Sequence, residues 1–152
     1  MEIRKRFLTE DGPVYQIAKS ATDASYPEEI SYAQEDILVV IEGLSMYLKE
    51  ADILQMFSVI EKNFPKATVF IETMSPFFAK HIKEKSIEGS QAKFVWGIKN
   101  GKALQELIPA FTYKKEVSLV EGMKQMMPIY HVLGKIPAVR NISNKIIVME
   151  KN

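Results

Sequence analysis

Apolar residues fall along this chain in two patterns, continuous and periodic. Ile37 to Ile41, "ILVVI", is apolar at every position and, apart from Leu38, β-branched. A strand without polar alternation is expected to be covered on both faces, as in a parallel sheet. From Ala51 to Phe64 the pattern changes: Ile53, Phe57, Ile60 and Phe64 recur at helical spacing, giving one apolar stripe that Pro65 stops. "ATVFIET", Ala67 to Thr73, is apolar again and predicts the next strand. Ile37 to Thr73 is therefore strand, helix, strand, a right-handed parallel crossover. Ahead of it, "VYQIA", Val14 to Ala18, is bounded by "DGP" and "SATDAS" and predicts a further short strand.

The second half is less regular. The pattern predicts helices over Phe77 to Lys85 and Lys102 to Ile108, the latter closed by Pro109. "FTYKKEVSL", Phe111 to Leu119, reads as a strand. Glu121 to Lys135 carries Met123, Met126, Met127, Tyr130 and Leu133 on a helix bent or restarted at Pro128. "NKIIVMEKN" closes the chain as a strand of strong β propensity. Alternating strands and helices give an α/β class, and 152 residues without linker, repeat or low-complexity tract fit a single domain over 1–152.

Composition narrows the function classes. Lys plus Arg is 20 and Asp plus Glu is 19, so no global charge recruits nucleic acid or membrane. The absence of cysteine excludes disulfides, thiolate metal sites and a cysteine nucleophile. "MEIRKRFLTEDG" lacks the apolar run of a signal peptide, and no segment reaches the roughly 20 apolar residues of a membrane helix. A cytoplasmic protein is expected.

Candidate chemistry starts at Glu42-Gly43, past the end of "ILVVI". Ligands of open α/β sheets bind outside the carboxyl ends of the strands, so an acid there is placed for a cofactor or substrate. A carboxylate that merely faces solvent is the competing reading, and position alone leaves both open. Gly43 suits a tight turn whatever the function. In "KSATDASYPEEI", Ser20, Thr22 and Asp23 offer oxygens at the same edge, although alone they read as turn and cap residues. His81 and His131 stand 50 positions apart outside any metal motif, so no metal site is expected. The methionines of Met123 to Met127 read as gap-filling core. No Walker loop, G-x-S-x-G elbow or basic-aromatic patch is present.

The residues "DILVVIEGLSMYLKEADILQMFSVIEKNFPKATVFIETMSP" resemble the E-G-L-x-x-Y-L segment of S-adenosylmethionine-dependent methyltransferases of the leucine carboxyl methyltransferase type. The likeness is closer to the O-methyltransferases of polyketide biosynthesis within that group. "ATDASYPEEI" is similar to the family's loop after its third strand, with Tyr26 at the usual tryptophan, and "FVWGIKNGKALQEL" resembles a stretch before the family's last strand pair. The resemblance implies a partial Rossmann-like class I methyltransferase sheet with helices on both faces. It also implies S-adenosylmethionine as cofactor and a small-molecule acceptor. Ser20 and Ala21 would lie beside the adenine, Ser20 standing where the family usually has Asp. Asp23 belongs to the same cofactor loop, Glu42 and Gly43 would border the methyl-donor pocket, and Tyr47 would shape the substrate side.

The chain also departs from the family. The family's sheet order is 3-2-1-4-5-7-6, and its first two strands carry a glycine-rich cofactor loop and a ribose-binding acid. Glycines here stand at 12, 43, 89, 97, 101, 122 and 134, and none forms G-x-G. "MEIRKRFL" resembles the family's segment just past the second strand, so the expectation is a carboxyl-terminal half lacking the first two strands. Without them the "ILVVI" edge would be open. It would then be capped by a second copy in a homo-oligomer, by "VYQIA" moving in beside it, or by a complementing N-terminal half. The alternative to a methyltransferase is a non-catalytic remnant or interaction module.

Overall fold

The computed structural model describes residues 12, 14–30, 36–81, 92–136, 139 and 143–152. The strand–helix–strand unit read from the sequence organises it: β1 (Asp36–Ile41), α1 (Glu50–Asn63) and β2 (Lys66–Thr73). β1 and β2 pair in parallel, from Asp36↔Lys66 to Ile41↔Ile71. Then come α2 (Pro76–His81), α3 (Gly101–Leu107), β3 (Phe111–Ser118), α4 (Val120–Met126), α5 (Tyr130–Leu133) and β4 (Lys145–Lys151). β4 lies antiparallel to both neighbours and between them, giving the order β1-β2-β4-β3. The result is a four-stranded mixed sheet with helices. Its order is compatible with the 4-5-7-6 portion of the sheet that the family resemblance implied.

One face of the sheet holds the core. Ile41, Val69, Ile71, Ile147 and Met149 project to the side on which Ile53, Met56, Phe57 and Ile60 of α1 are buried. All four residues of the predicted helical stripe are inside, Phe64 included. Phe57 meets Phe111 of β3 edge to face at 5.1 Å, which ties helix to far strand. The start of α1 is held by Asp52, whose carboxylate accepts the Lys49 backbone N–H at 3.1 Å. At its end Lys151 Nζ donates to the carbonyls of Glu61 and Phe64, at 2.6 and 2.7 Å, where the helix dipole favours a cation. Behind β2 the chain passes so close that a Cβ on Gly97 would stand 2.8 Å from the carbonyl oxygens of Met74 and Ser75. Only glycine allows the Ile98 N–H to reach the Met74 carbonyl at 2.8 Å along that path.

β3 contains an irregularity that shapes its chemistry. The register runs Tyr113↔Met149 and then Lys115↔Val148, so Lys114 has no counterpart on β4. This bulge reverses the alternation and turns Glu116 to the core side, opposite Ile147, and Val117 outward, where it is 48% exposed. Glu116 accepts the Gly101 N–H at 2.7 Å and pairs with the Lys145 ammonium at 3.0 Å. Lys145 also donates to the Lys99 carbonyl at 3.3 Å. Lys145 is therefore a buried charge with its partners in place.

Three expectations are corrected. "VYQIA" is not a strand: Val14 and Tyr15 are exposed, and Val14 to Ala18 join no sheet among the described residues. β propensity only favours a strand; a ladder neighbour is what makes one. "ILVVI" is not covered on both faces, because Leu38 and Val40 are 60% and 62% exposed. The helices α1 and α3 pack on the opposite side. Leu119, just ahead of α4, lines a hollow with Val40, Phe70 and Ile146, so the helices lie on both faces of the sheet only in part. Nor do the methionines after Val120 fill a core, since Met127 is exposed and Met123 half-buried; the side chain of Met126 lies outside the described residues. The predicted break at Pro128 is present between α4 and α5. The helix over Phe77 to Lys85 is seen as far as His81, and its remainder lies outside the described residues, as does "MEIRKRFL". Among the described residues no helix is long and apolar enough to cross a membrane.

Candidate functional site

The carboxyl ends of β1 and β2 open onto a cleft of about 320 Å³ beside the free edge of β1. Its floor is Val39, Ile41, Met56 and Ile60; its far wall is Ile17, Ser20, Ala21 and Tyr26; Glu42 stands at its mouth. Three of the site residues expected from the sequence, Ser20, Ala21 and Glu42, thus come together from positions more than twenty apart. The Ser20 loop is a tight side-chain turn: Ser20 Oγ accepts the Thr22 N–H at 3.3 Å and shares a hydrogen bond with the Thr22 hydroxyl at 2.9 Å. Tyr26 packs its ring toward Phe64, with centroids 6.4 Å apart, and burial pushes its hydroxyl pKa up, so it lines the cleft as a neutral group. Lys19, whose pKa is raised by its hydrogen bond to Glu29, is held at 2.6 Å from that carboxylate.

The other three expected residues lie elsewhere. Asp23 is turned into its own loop, accepting the Ser25 N–H at 2.8 Å and the Ser25 hydroxyl at 2.7 Å. Those bonds, the hydroxyl's first, hold its carboxyl below the ordinary carboxylate range. A depressed acid adds order to the loop above its ordinary pKa, and that order is lost as pH falls through its own lower value. Ser25→Ala removes the larger cause, so the Asp23 titration midpoint followed by carboxyl-carbon NMR is expected to rise toward about 3.9. An unchanged midpoint would mean that the Ser25 hydroxyl does not set it. Tyr47 sits in a short 3-10 turn (Ser45–Tyr47) and faces Phe94, with centroids 5.3 Å apart, rather than the cleft.

Gly43 follows Glu42 with φ +63°, the left-handed turn that its type permits. Its N–H is bound by a residue that no motif in the sequence marks. Glu72, next to last in β2, takes the Gly43 N–H on one carboxylate oxygen at 3.0 Å and the Asn144 amide on the other at 2.9 Å. Its backbone carbonyl accepts the buried Ser45 hydroxyl at 2.5 Å. Glu72 thereby fastens the turn after β1 to the start of β4. The signal that could have found it is the one that marked Glu42, an acid at the carboxyl end of a parallel strand. Glu72→Gln should leave folding nearly intact while Gly43 amide exchange speeds up by about tenfold, the loss of a charge-assisted bond of some 1.5 kcal/mol. Unchanged exchange would mean that Glu72 does not hold the turn.

Glu42 itself is exposed and borders two spaces, the 320 Å³ cleft and a smaller hollow of about 100 Å³ on the opposite face with Phe70, Glu72 and Leu119. Among the described residues no three metal-ligating side chains converge. His81 stacks on Phe77 at 4.7 Å, away from the cleft lining.

Over 125 residues, 80% of its length, the chain is 27% identical to the tetracenomycin polyketide synthesis O-methyltransferase TcmP of Streptomyces glaucescens. It is similar to an O-methyltransferase. The matched stretch is 45% of that enzyme, so this chain spans less than half the length of the curated relative it matches. No protein-family model matches the chain. The likeness to TcmP supports a distant kinship with S-adenosylmethionine-dependent methyltransferases, the family that the E-G-L-x-x-Y-L segment resembles.

Proposed function

We propose that this chain is the carboxyl-terminal half of an S-adenosylmethionine-dependent O-methyltransferase acting on a small-molecule acceptor. The observation that carries the reading is the cleft at the carboxyl end of β1, which joins the Ser20–Ala21 loop to Glu42. At about 320 Å³ it is near the lower bound of small-molecule sites and suits an adenosine-sized group. Its apolar floor of Val39, Ile41 and Met56 suits a flat base, the Ser20 hydroxyl is an acceptor at the rim, and Glu42 can accept from ribose hydroxyls. The methionine end of the cofactor has no cradle among the described residues. When bound, S-adenosylmethionine supplies a methyl group on a positively charged sulfur. The contribution of these residues is to hold the adenosine end and to keep the β1 turn in place through Glu72, so that the reactants meet in line.

Calorimetric titration of S-adenosylmethionine and S-adenosylhomocysteine into the purified chain tests this. The expected result is saturable micromolar binding, about −8 kcal/mol, which Glu42→Ala weakens tenfold or more without moving the melting temperature. Neither heat nor thermal stabilisation would favour the second reading, an interaction module without cofactor. That reading is supported by the placement of Asp23, Gly43 and Tyr47 outside the cleft lining and by the open edge of β1.

A further inference from the structure

β3 and β4 are antiparallel neighbours, which a two-residue turn could join. Residues 119–144 stand there instead and carry α4 and α5. Because β4 is antiparallel to β2 and β3 alike, β3 ends beside the carboxyl end of β2, the side on which Glu42 lies. The connection is closed at its base, where the Leu119 N–H donates to the Asn144 carbonyl at 2.9 Å. Both of these residues meet the acids at the strand ends. Leu119 lines the hollow that Glu42 and Glu72 share, and the Asn144 amide donates to the Glu72 carboxylate at 2.9 Å.

Charge explains why Glu72 has a second donor. Glu42 and Glu72 follow the last registered pair of β1 and β2, Ile41↔Ile71, so two acids stand side by side. Like charges so placed repel, and the terminal torsion of a glutamate is broad. One hydrogen bond from Gly43 would leave the Glu72 carboxylate free to swing. The Asn144 amide takes the other oxygen and fixes the plane of the group, with its first oxygen on the Gly43 N–H at 3.0 Å. Asn144 thus supplies a donor without adding a charge. The Glu72 backbone carbonyl also holds the Ser45 hydroxyl, so the stretch from Gly43 to Ser45 takes its position from Glu72.

We infer that Asn144 is a positioning residue for the Glu42–Gly43 turn, acting through the Glu72 carboxylate, so that the α4–α5 connection sets the geometry at the mouth of the cleft. A change at the base of the connection reaches the carboxyl end of β1 without touching it. The effect on cofactor affinity rests on the methyltransferase reading; the relay itself does not.

A swap of acid and amide in the full chain tests it. Asn144→Asp keeps the size, removes the donor and sets a second carboxylate against Glu72. It is expected to speed Gly43 amide exchange about tenfold or more. Glu72→Gln/Asn144→Asp restores both bonds in reversed sense, the new amide accepting from Gly43 and donating to the new carboxylate. Exchange in this double variant is expected within about threefold of the unaltered chain, although each single change speeds it. Titration of S-adenosylhomocysteine into the same proteins should show affinity about tenfold weaker in Asn144→Asp and recovered in the double variant. Unchanged Gly43 exchange in Asn144→Asp, or additive acceleration in the double variant, would overturn the inference. So would an affinity that Asn144→Asp leaves unmoved while exchange quickens, since the connection would then not shape the cleft mouth. If the unaltered chain binds no S-adenosylhomocysteine, the methyltransferase reading fails, and the exchange rates alone decide the relay.

Discussion

Phe57→Ala is expected to cost about 3–5 kcal/mol of stability, the range for emptying a fully buried aromatic site. Phe57 is 1% exposed and sits where α1 meets the sheet, its ring edge-on to Phe111 at 5.1 Å. The truncation removes apolar area from water-free surroundings, breaks the aromatic pair and leaves a cavity between Ile53, Ile60 and β3 that backbone shifts fill only in part. Domains of this size have about 5–15 kcal/mol in total, so the variant would sit near the edge of folding. Urea unfolding followed by circular dichroism measures the loss. A cost under about 1 kcal/mol would mean that the core under α1 is not packed as described.

The second large effect concerns the charge pair created by the bulge in β3. Glu116→Ala is expected to cost about 3 kcal/mol, because it strands the Lys145 ammonium with only the Lys99 carbonyl and deprives the Gly101 N–H of its acceptor. Lys145 is 8% exposed, so water does not readily replace the lost carboxylate. The double variant Glu116→Leu/Lys145→Met removes both charges and is expected to be more stable than Glu116→Ala, since no buried ion is left unpaired. A double-mutant cycle by thermal unfolding decides the point. Additive losses would mean that the two side chains are independently solvated and that their 3.0 Å contact contributes little.

Three of the six expected site residues line one cleft, and strand ends account for only one of them. Glu42 was marked by its place after a continuous apolar strand, whereas Ser20 and Ala21 were named only through the family resemblance, since alone their loop reads as turn and cap residues. Asp23 and Gly43 were expected beside them from the family's loop and its E-G-L segment, but each has its hydrogen bonds elsewhere, in Ser25 and in Glu72. A side chain's direction inside a turn depends on which donor it captures, and residue type does not disclose that. Glu72 was missed because its partners, Gly43 and Asn144, lie 29 and 72 positions away.

By itself the sequence determined what depends on local period. It delimited β1, α1 and β2 to within a residue or two, their parallel crossover, the buried stripe of α1, the strand nature of β3 and β4, and the break at Pro128. Each follows from side-chain spacing or from proline within a few residues. The tertiary structure alone decided what depends on neighbours. Strand pairing across 72 positions put β4 between β2 and β3 and made it antiparallel to both. The extra residue Lys114, skipped in the register with β4, turned Glu116 inward, which no alternation pattern in "FTYKKEVS" announces. "VYQIA" had the composition of a strand and did not become one, and "ILVVI" had the composition of a twice-covered strand and kept one face and one edge open. Propensity is a property of the segment, whereas pairing and burial belong to the segment and whatever lies beside it.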